Sequence, residues 1–213
     1  MTHTMKKETT LTAAAVVLAG AASAVAADAA AVNDLIAKIK STDDAVRGPA
    51  WQGAGPAGAP AVAPLADVMS DPHFEIARSA KRAIEKIARH AGRPGASPER
   101  EAVEAELIKL LSHSNANVRR HAVWMLSEIG DAAAVGPMSA LLADAEVRED
   151  ARCALTRVPG SQATGALREA MDGAPEEFKY ALAESLRARG ETVAGYPSKK
   201  LVPVKQTSVK AEG

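Results

Sequence analysis

An apolar ladder that recurs along the chain constrains the fold more than any other feature. It is clearest in Asn117–Gly130 (NVRRHAVWMLSEIG), where Val118, Ala122, Met125, Leu126 and Ile129 fall at offsets 0, +4, +7, +8 and +11. Those offsets share one face of a helix with 3.6 residues per turn. The same ladder starts at Val46, Ile76, Val147 and Phe178, so successive starts are 30, 42, 29 and 31 residues apart. The +4 column reads Ala50, Ala80, Ala122, Ala151 and Leu182, and the +8 column reads Ala54, Ile84, Leu126, Leu155 and Leu186. One unit repeated at near-equal spacing signals an array in which each unit buries its apolar face by stacking on its neighbours.

An amphipathic segment precedes each ladder and ends in a polar turn. These segments are Val32–Lys40, Val62–Met69, Val103–Leu111, Val135–Ala143 and Ala163–Met171. The turns carry Ser, Asn and Asp (Asp43, Asn115 and Asp144 among them), whose side chains accept the free N–H groups of a helix start. Pro64 and Pro137 are expected in the early turns of their helices, where a missing N–H costs little. Alanine supplies 48 of the 213 residues and aromatic residues only 3%. That composition favours helices that approach one another closely.

The pairing of an A-V-x-x-L-x-x-L-L-x-D helix with a V-R-x-x-A-x-x-A-L-x-x-I-G helix resembles HEAT repeats, in particular the short bacterial HEAT-like class. Asn117–Gly130 with Asp131–Leu142, and Glu146–Val158, carry the resemblance best, and it spans about residues 32–190. It implies an all-α fold, a right-handed α-solenoid of about five helical pairs. The second helix of each pair would line a concave surface, where members of such families usually bind another protein. Two stretches depart from the pattern. Gly48–Pro56 is broken by prolines and glycines, which predicts a short or irregular first repeat. His90–Arg100 lengthens one step to 42 residues and is rich in turn formers, which predicts a long loop with functional potential.

The chain divides into three parts. Residues 1–27 have the pattern of a signal peptide: Lys6 and Lys7, a short apolar run from Leu11 to Ala22, then small residues suited to cleavage near Ala24–Ala27. Export to the periplasm or beyond is the expectation, with a cytoplasmic location as the alternative. Residues 28–190 form the repeat domain. Residues 191–213 lose all periodicity, are basic by two charges, and are expected to be an extended, mostly disordered tail.

Chemistry is harder to find. The 26 basic and 26 acidic side chains balance, which argues against a nucleic-acid partner. The apolar leader is too short to span a membrane. No H-E-x-x-H, C-x-x-C, G-x-S-x-G or phosphate-binding loop occurs, so no catalytic, metal or cofactor residues are assigned. Cys153, the single cysteine, lies at offset +6 and is expected to be a small filler of the packed array. His121 is expected to be half-buried beside the core stripe, and Trp51 to cap the first repeat's core. The recurring +1 cations Arg47, Arg119, Arg148 and Lys179 suit a structural ladder of bonds to turn carboxylates such as Asp43, Asp44 and Asp144.

What remains is the outward face of the second helices, at offsets +2, +5, +6 and +9. It carries Arg78, Lys81, Arg82 and Glu85, then Arg120, Val123, Trp124 and Ser127, then Glu149, Arg152 and Cys153, and finally Tyr180, Glu184 and Arg187. An outward Trp among arginines has the composition of an interface hot spot. Arg78, Arg82, Arg120, Trp124, Arg152 and Tyr180 are therefore the candidate partner-binding residues. The expected function is a monomeric, non-enzymatic scaffold for a protein partner. The alternatives are a bilin- or cofactor-handling protein like the phycobilin lyases, or a structural module of the cell envelope.

Overall fold

The computed structural model describes residues 28–198. The leader assigned to residues 1–27 and the tail from 199 to 213 lie outside the described residues. Ten α-helices among them form five pairs. The first helices are α1 (28–39), α3 (Val62–Val68), α5 (Ser97–Lys109), α7 (Ala132–Ala140) and α9 (Ser161–Gly173). The second helices are α2 (Asp44–Gln52), α4 (Phe74–Ala91), α6 (Ala116–Ile129), α8 (Arg148–Arg157) and α10 (Glu176–Ala188). The fold is an all-α solenoid: α3, α5, α7 and α9 pack side by side in one row, α2, α4, α6, α8 and α10 in the other.

The core lies between the rows and follows the ladder. Ile76, Val118, Val147 and Phe178 are buried at offset 0, Ala80, Ala122, Ala151 and Leu182 at +4, and Ile84, Leu126, Leu155 and Leu186 at +8. Small side chains at +4 let neighbouring helices approach closely, because interaxial distance is set by the side chains at the contact. Each fully buried Leu or Ile then contributes about 1.5–3 kcal/mol of apolar burial.

Turn residues start the helices as their chemistry predicts. Asp43 accepts the Ala45 N–H at 2.8 Å, Asn115 that of Asn117 at 2.9 Å, and Asp131 that of Ala133 at 2.9 Å. The +1 arginines tie these turns to the helices behind them. Arg47 donates to the Ser41 carbonyl at 2.6 Å and pairs with Asp44. Arg119 makes the equivalent bond to His113 at 2.8 Å and reaches Asp144, in the next repeat's turn, at 3.2 Å. Arg148 instead lies over the Phe178 ring, 4.9 Å from its centroid, and Lys179 pairs with Glu176.

The structure departs from the sequence pattern in three places, at Val46, at His90–Arg100 and at Pro137. Val46, the first ladder start, is 41% exposed; α2 stands first in its row, with α4 as its row neighbour. The first repeat is short and irregular, as expected: the nine-residue α2 ends at Gln52 with Pro49 inside it, and two 3-10 turns, Gly55–Ala57 and Ala59–Ala61, follow. Trp51 packs half-buried against the core there. The stretch His90–Arg100 is not a long loop: α4 runs on to Ala91, α5 starts at Ser97, and only five residues connect them. Buried Ile87, Ala88 and Ala91 extend α4's apolar stripe and override the turn formers that follow. Pro137 falls in the second turn of α7 rather than the first.

Residues 191–198, the start of the expected tail, carry no helix and lie against the last repeat. The Glu191 N–H bonds the Leu186 carbonyl at 3.0 Å, Glu191 pairs with Arg168, and the Tyr196 ring meets Tyr180 edge-on at 5.2 Å.

Candidate functional site

On the outer face of the second row, α4, α6 and α8 enclose two hollows that meet at Trp124. The larger, of about 890 Å³, lies between α4 and α6. Its apolar lining comes from Met69, Phe74 and Ala77, and its cations are Arg78, Lys81 and Arg89 from α4 and Arg120 from α6. The smaller, of about 330 Å³, lies between α6 and α8 and is lined by Val123, Cys153, Ala154, Arg152 and Arg157. Trp124, Arg120 and Asp150 border both, so the hollows form one continuous groove.

Trp124 is 51% exposed at the ridge between them. The Arg157 guanidinium stands 5.4 Å from the centroid of its ring, a cation–π contact that fixes the indole across the groove. Glu128, one turn on, accepts two bonds from Arg89 at 3.0 and 3.1 Å. These bonds, with smaller contributions from the Trp124 indole and Arg157, hold its carboxyl below the usual range. Beneath the ridge, His121 is buried, and its Nε2 lies 3.2 Å from the Lys81 carbonyl. Burial, then the Lys81 charge, lowers its pKa to about 4.

The groove gathers four of the six candidate residues. Arg78 is exposed, pairs with Glu75 at 3.1 Å and sits near Phe74. Arg120 holds the Glu146 carbonyl at 2.7 Å and Asp150 at 3.4 Å, linking α6 to α8. Arg152 is largely tied down, to Glu149 at 2.8 Å and to the Ser185 hydroxyl of α10 at 2.6 Å. Trp124 is the fourth. Arg82 and Tyr180 lie elsewhere. Arg82 stacks on Trp51, 4.9 Å from its centroid, and Tyr180 packs against Tyr196 beyond the groove's far end.

Three further positions differ from expectation. Val123, expected on the outer face, is 1% exposed and forms groove wall only at its edge. Cys153, expected as packing filler, is exposed in the smaller hollow, with Arg152 Nη2 3.3 Å from its sulfur. His121 is buried rather than half-buried. Sequence reasoning missed Phe74, which is 71% exposed at the groove's mouth; its signal was an aromatic two residues before a ladder start.

Among the described residues no three His, Cys, Asp or Glu side chains cluster as metal ligands, and no helix is long and apolar enough to cross a membrane. A separate hollow of about 350 Å³ beside His90 and Val103 is lined mainly by Ala, Gly and Pro.

The family described as HEAT repeats matches residues 81–156 and again 104–187, together 107 of the 213 residues. The chain belongs to the HEAT-repeat family. The matched span holds most of α4 and all of α6 and α8, and of the groove's lining only Met69, Phe74, Ala77 and Arg78 precede it. No curated protein matches the sequence. Solved structures similar to this HEAT-repeat chain include a designed armadillo repeat protein in complex with the peptide (KR)4. It is 22% identical, with 72% of this chain and 80% of that chain covered and a TM-score of 0.44. A computationally designed armadillo repeat protein for modular peptide recognition is 23% identical, with the same coverage and a TM-score of 0.43. An engineered protein is 20% identical over 76% of this chain and 78% of that one, with a TM-score of 0.41.

Proposed function

We propose that this HEAT-repeat chain is a protein-binding scaffold whose docking site is the α4–α6–α8 groove. The observation that carries this reading is the placement of Trp124. A chain with two tryptophans leaves one of them half in water, at the junction of two hollows, under an arginine from the next repeat. An exposed indole ringed by arginines gains most when a partner covers it, because aromatic area is then buried without further ordering of the ring. Phe74 extends the apolar surface to the groove's mouth. The leader pattern of residues 1–27 would place this scaffold outside the cytoplasm, which sequencing the mature N-terminus tests directly.

The binding reading is tested by comparing proteins captured on immobilised wild type and on Trp124→Ala. Partners lost from the variant at unchanged helicity support the groove; identical recovery from both rejects it. A covalent linear-tetrapyrrole adduct at Cys153 would instead favour the lyase-like alternative.

A further inference from the structure

We infer that the groove's occupant is an extended, acidic peptide segment with one apolar anchor residue. This rests on the reading of the groove as a docking site and adds the chemistry of what docks there.

What points to an acidic occupant is the set of charges left without an ion pair in the groove. Residues 28–198 carry 20 basic and 24 acidic side chains, an acidic balance. The groove's lining holds six cations, Arg78, Lys81, Arg89, Arg120, Arg152 and Arg157, against the carboxylates Glu85, Glu149 and Asp150, while Glu75, Glu128 and Glu146 at its border pair with Arg78, Arg89 and Arg120. Each of the three lining carboxylates is already held by a lining cation: Glu85 by Arg89 at 3.7 Å, Glu149 by Arg152 at 2.8 Å, and Asp150 by Arg120 at 3.4 Å. No lining carboxylate is left to recruit a basic ligand. Lys81 and Arg157, in contrast, line the groove from opposite sides of Trp124 and make no ion pair among the described residues, Arg157 lying over the Trp124 ring. Two unpaired cations flanking an exposed indole suit carboxylates on either side of an apolar side chain.

The dimensions favour an extended segment. Three adjacent helices at about 8–10 Å separations span roughly 20 Å, the length of about six residues of extended chain. Charge complementarity of this kind would act chiefly on encounter rate and specificity, while burial of Trp124 would supply most of the affinity.

The test is selection from a random six-residue peptide library displayed on phage, with the full chain as bait and Trp124→Ala in parallel. Sequences chosen by wild type over the variant should be enriched in aspartate and glutamate around one apolar residue. A fluorescein-labelled member should bind about tenfold more weakly to the double variant Lys81→Glu, Arg157→Glu. Raising sodium chloride from about 50 to about 500 mM should weaken it similarly. The same peptide should slow maleimide labelling of Cys153, the chain's one thiol, which reports occupancy of the smaller hollow.

A selected pool that is basic or shows no charge bias overturns the acidic assignment and leaves the docking site standing. Failure to select any sequence over Trp124→Ala overturns the docking site as well. An acidic pool indifferent to the double variant, or one that leaves Cys153 labelling unchanged, places binding elsewhere and also overturns the inference. Equal displacement by a single-stranded oligonucleotide assigns the groove to nucleic acid instead.

Discussion

His121 of α6 lies with its Nε2 3.2 Å from the Lys81 carbonyl of α4, so two adjacent repeats share a polar contact directly beneath the groove. The ring is buried and its pKa is lowered to about 4, with Lys81, Arg89 and Glu128 as the charged groups around it. The unfolded chain therefore binds a proton at this residue below about pH 6.5, while the folded chain stays neutral until about pH 4. Stability from this group is complete above pH 6.5 and is lost as pH falls through that window, by up to about 3 kcal/mol. Thermal melts at pH 7 and pH 4.5 should show a drop in Tm that His121→Gln substantially reduces. An equal drop in both proteins would remove His121 as its source.

Arg189 caps the end of α8 from one repeat away. Its guanidinium donates to the carbonyls of Leu155, Thr156, Val158 and Gly160 at 3.0, 2.9, 2.7 and 2.6 Å, and its Nε to the Thr164 hydroxyl at 2.8 Å. Charged hydrogen bonds of this kind are worth about 1.5–3 kcal/mol, and removing the donor leaves several carbonyls unpaired at once. Arg189→Ala should lower stability by about 3 kcal/mol in urea denaturation. Arg189→Lys should recover little, because a single ammonium cannot span the spread of acceptors.

Glu104 is 3% exposed, and its charge is balanced by Arg100 at 3.2 Å and by the Asp131 N–H at 2.9 Å. Arg100 also reaches the Ile129 carbonyl at 3.1 Å and Asp131 at 3.1 Å, joining α5 to the turn after α6. Arg100→Ala should cost about 3 kcal/mol at pH 7 by leaving a buried carboxylate unpaired. Burial already raises the Glu104 pKa, so the loss should shrink when the carboxyl is protonated at lower pH. A pH-independent loss would assign the effect to packing.

Two glycines make opposite predictions. A Cβ at Gly130 would lie 2.5 Å from the Leu126 carbonyl oxygen, which backbone atoms cannot accommodate without moving the end of α6. Gly130→Ala should destabilise by about 2 kcal/mol. Gly136, inside α7, has nothing within 4 Å of the same atom, so Gly136→Ala should stabilise by about 0.5–1 kcal/mol through helix propensity. Chemical denaturation of the two variants checks both signs.

Trp124→Ala should alter stability by no more than about 1 kcal/mol, the scale of an exposed cation–π contact. A shift in Tm larger than a few degrees would show that the indole supports the repeat stack and would weaken its claim as a docking residue.

Much of this was legible in the chain itself. The ladder located all five helical pairs, and the columns at 0, +4 and +8 are buried wherever a repeat is covered on both sides, as at Val118, Ala122 and Leu126. The +11 column was less obedient. Ile87, Ile129 and Val158 fill it with apolar side chains, whereas the last repeat puts Arg189 there. Periodicity marks such a residue as a break; it cannot show that the break becomes a cap for another helix. The candidate face was legible in the same partial way. Helical offsets bring Arg78, Arg120, Trp124 and Arg152 to one side, but Arg82 is drawn off by Trp51, and Tyr180 lies past the last hollow.

The sequence by itself determined the helices, their pairing and their stacking, because a 3.6-residue period and capping side chains act over a few residues and recur in every unit. Tertiary structure alone decided which outward residues share a groove and which cations are spent on neighbouring carboxylates. Those properties depend on the spacing between helices some 30–40 positions apart, and no local pattern encodes that distance.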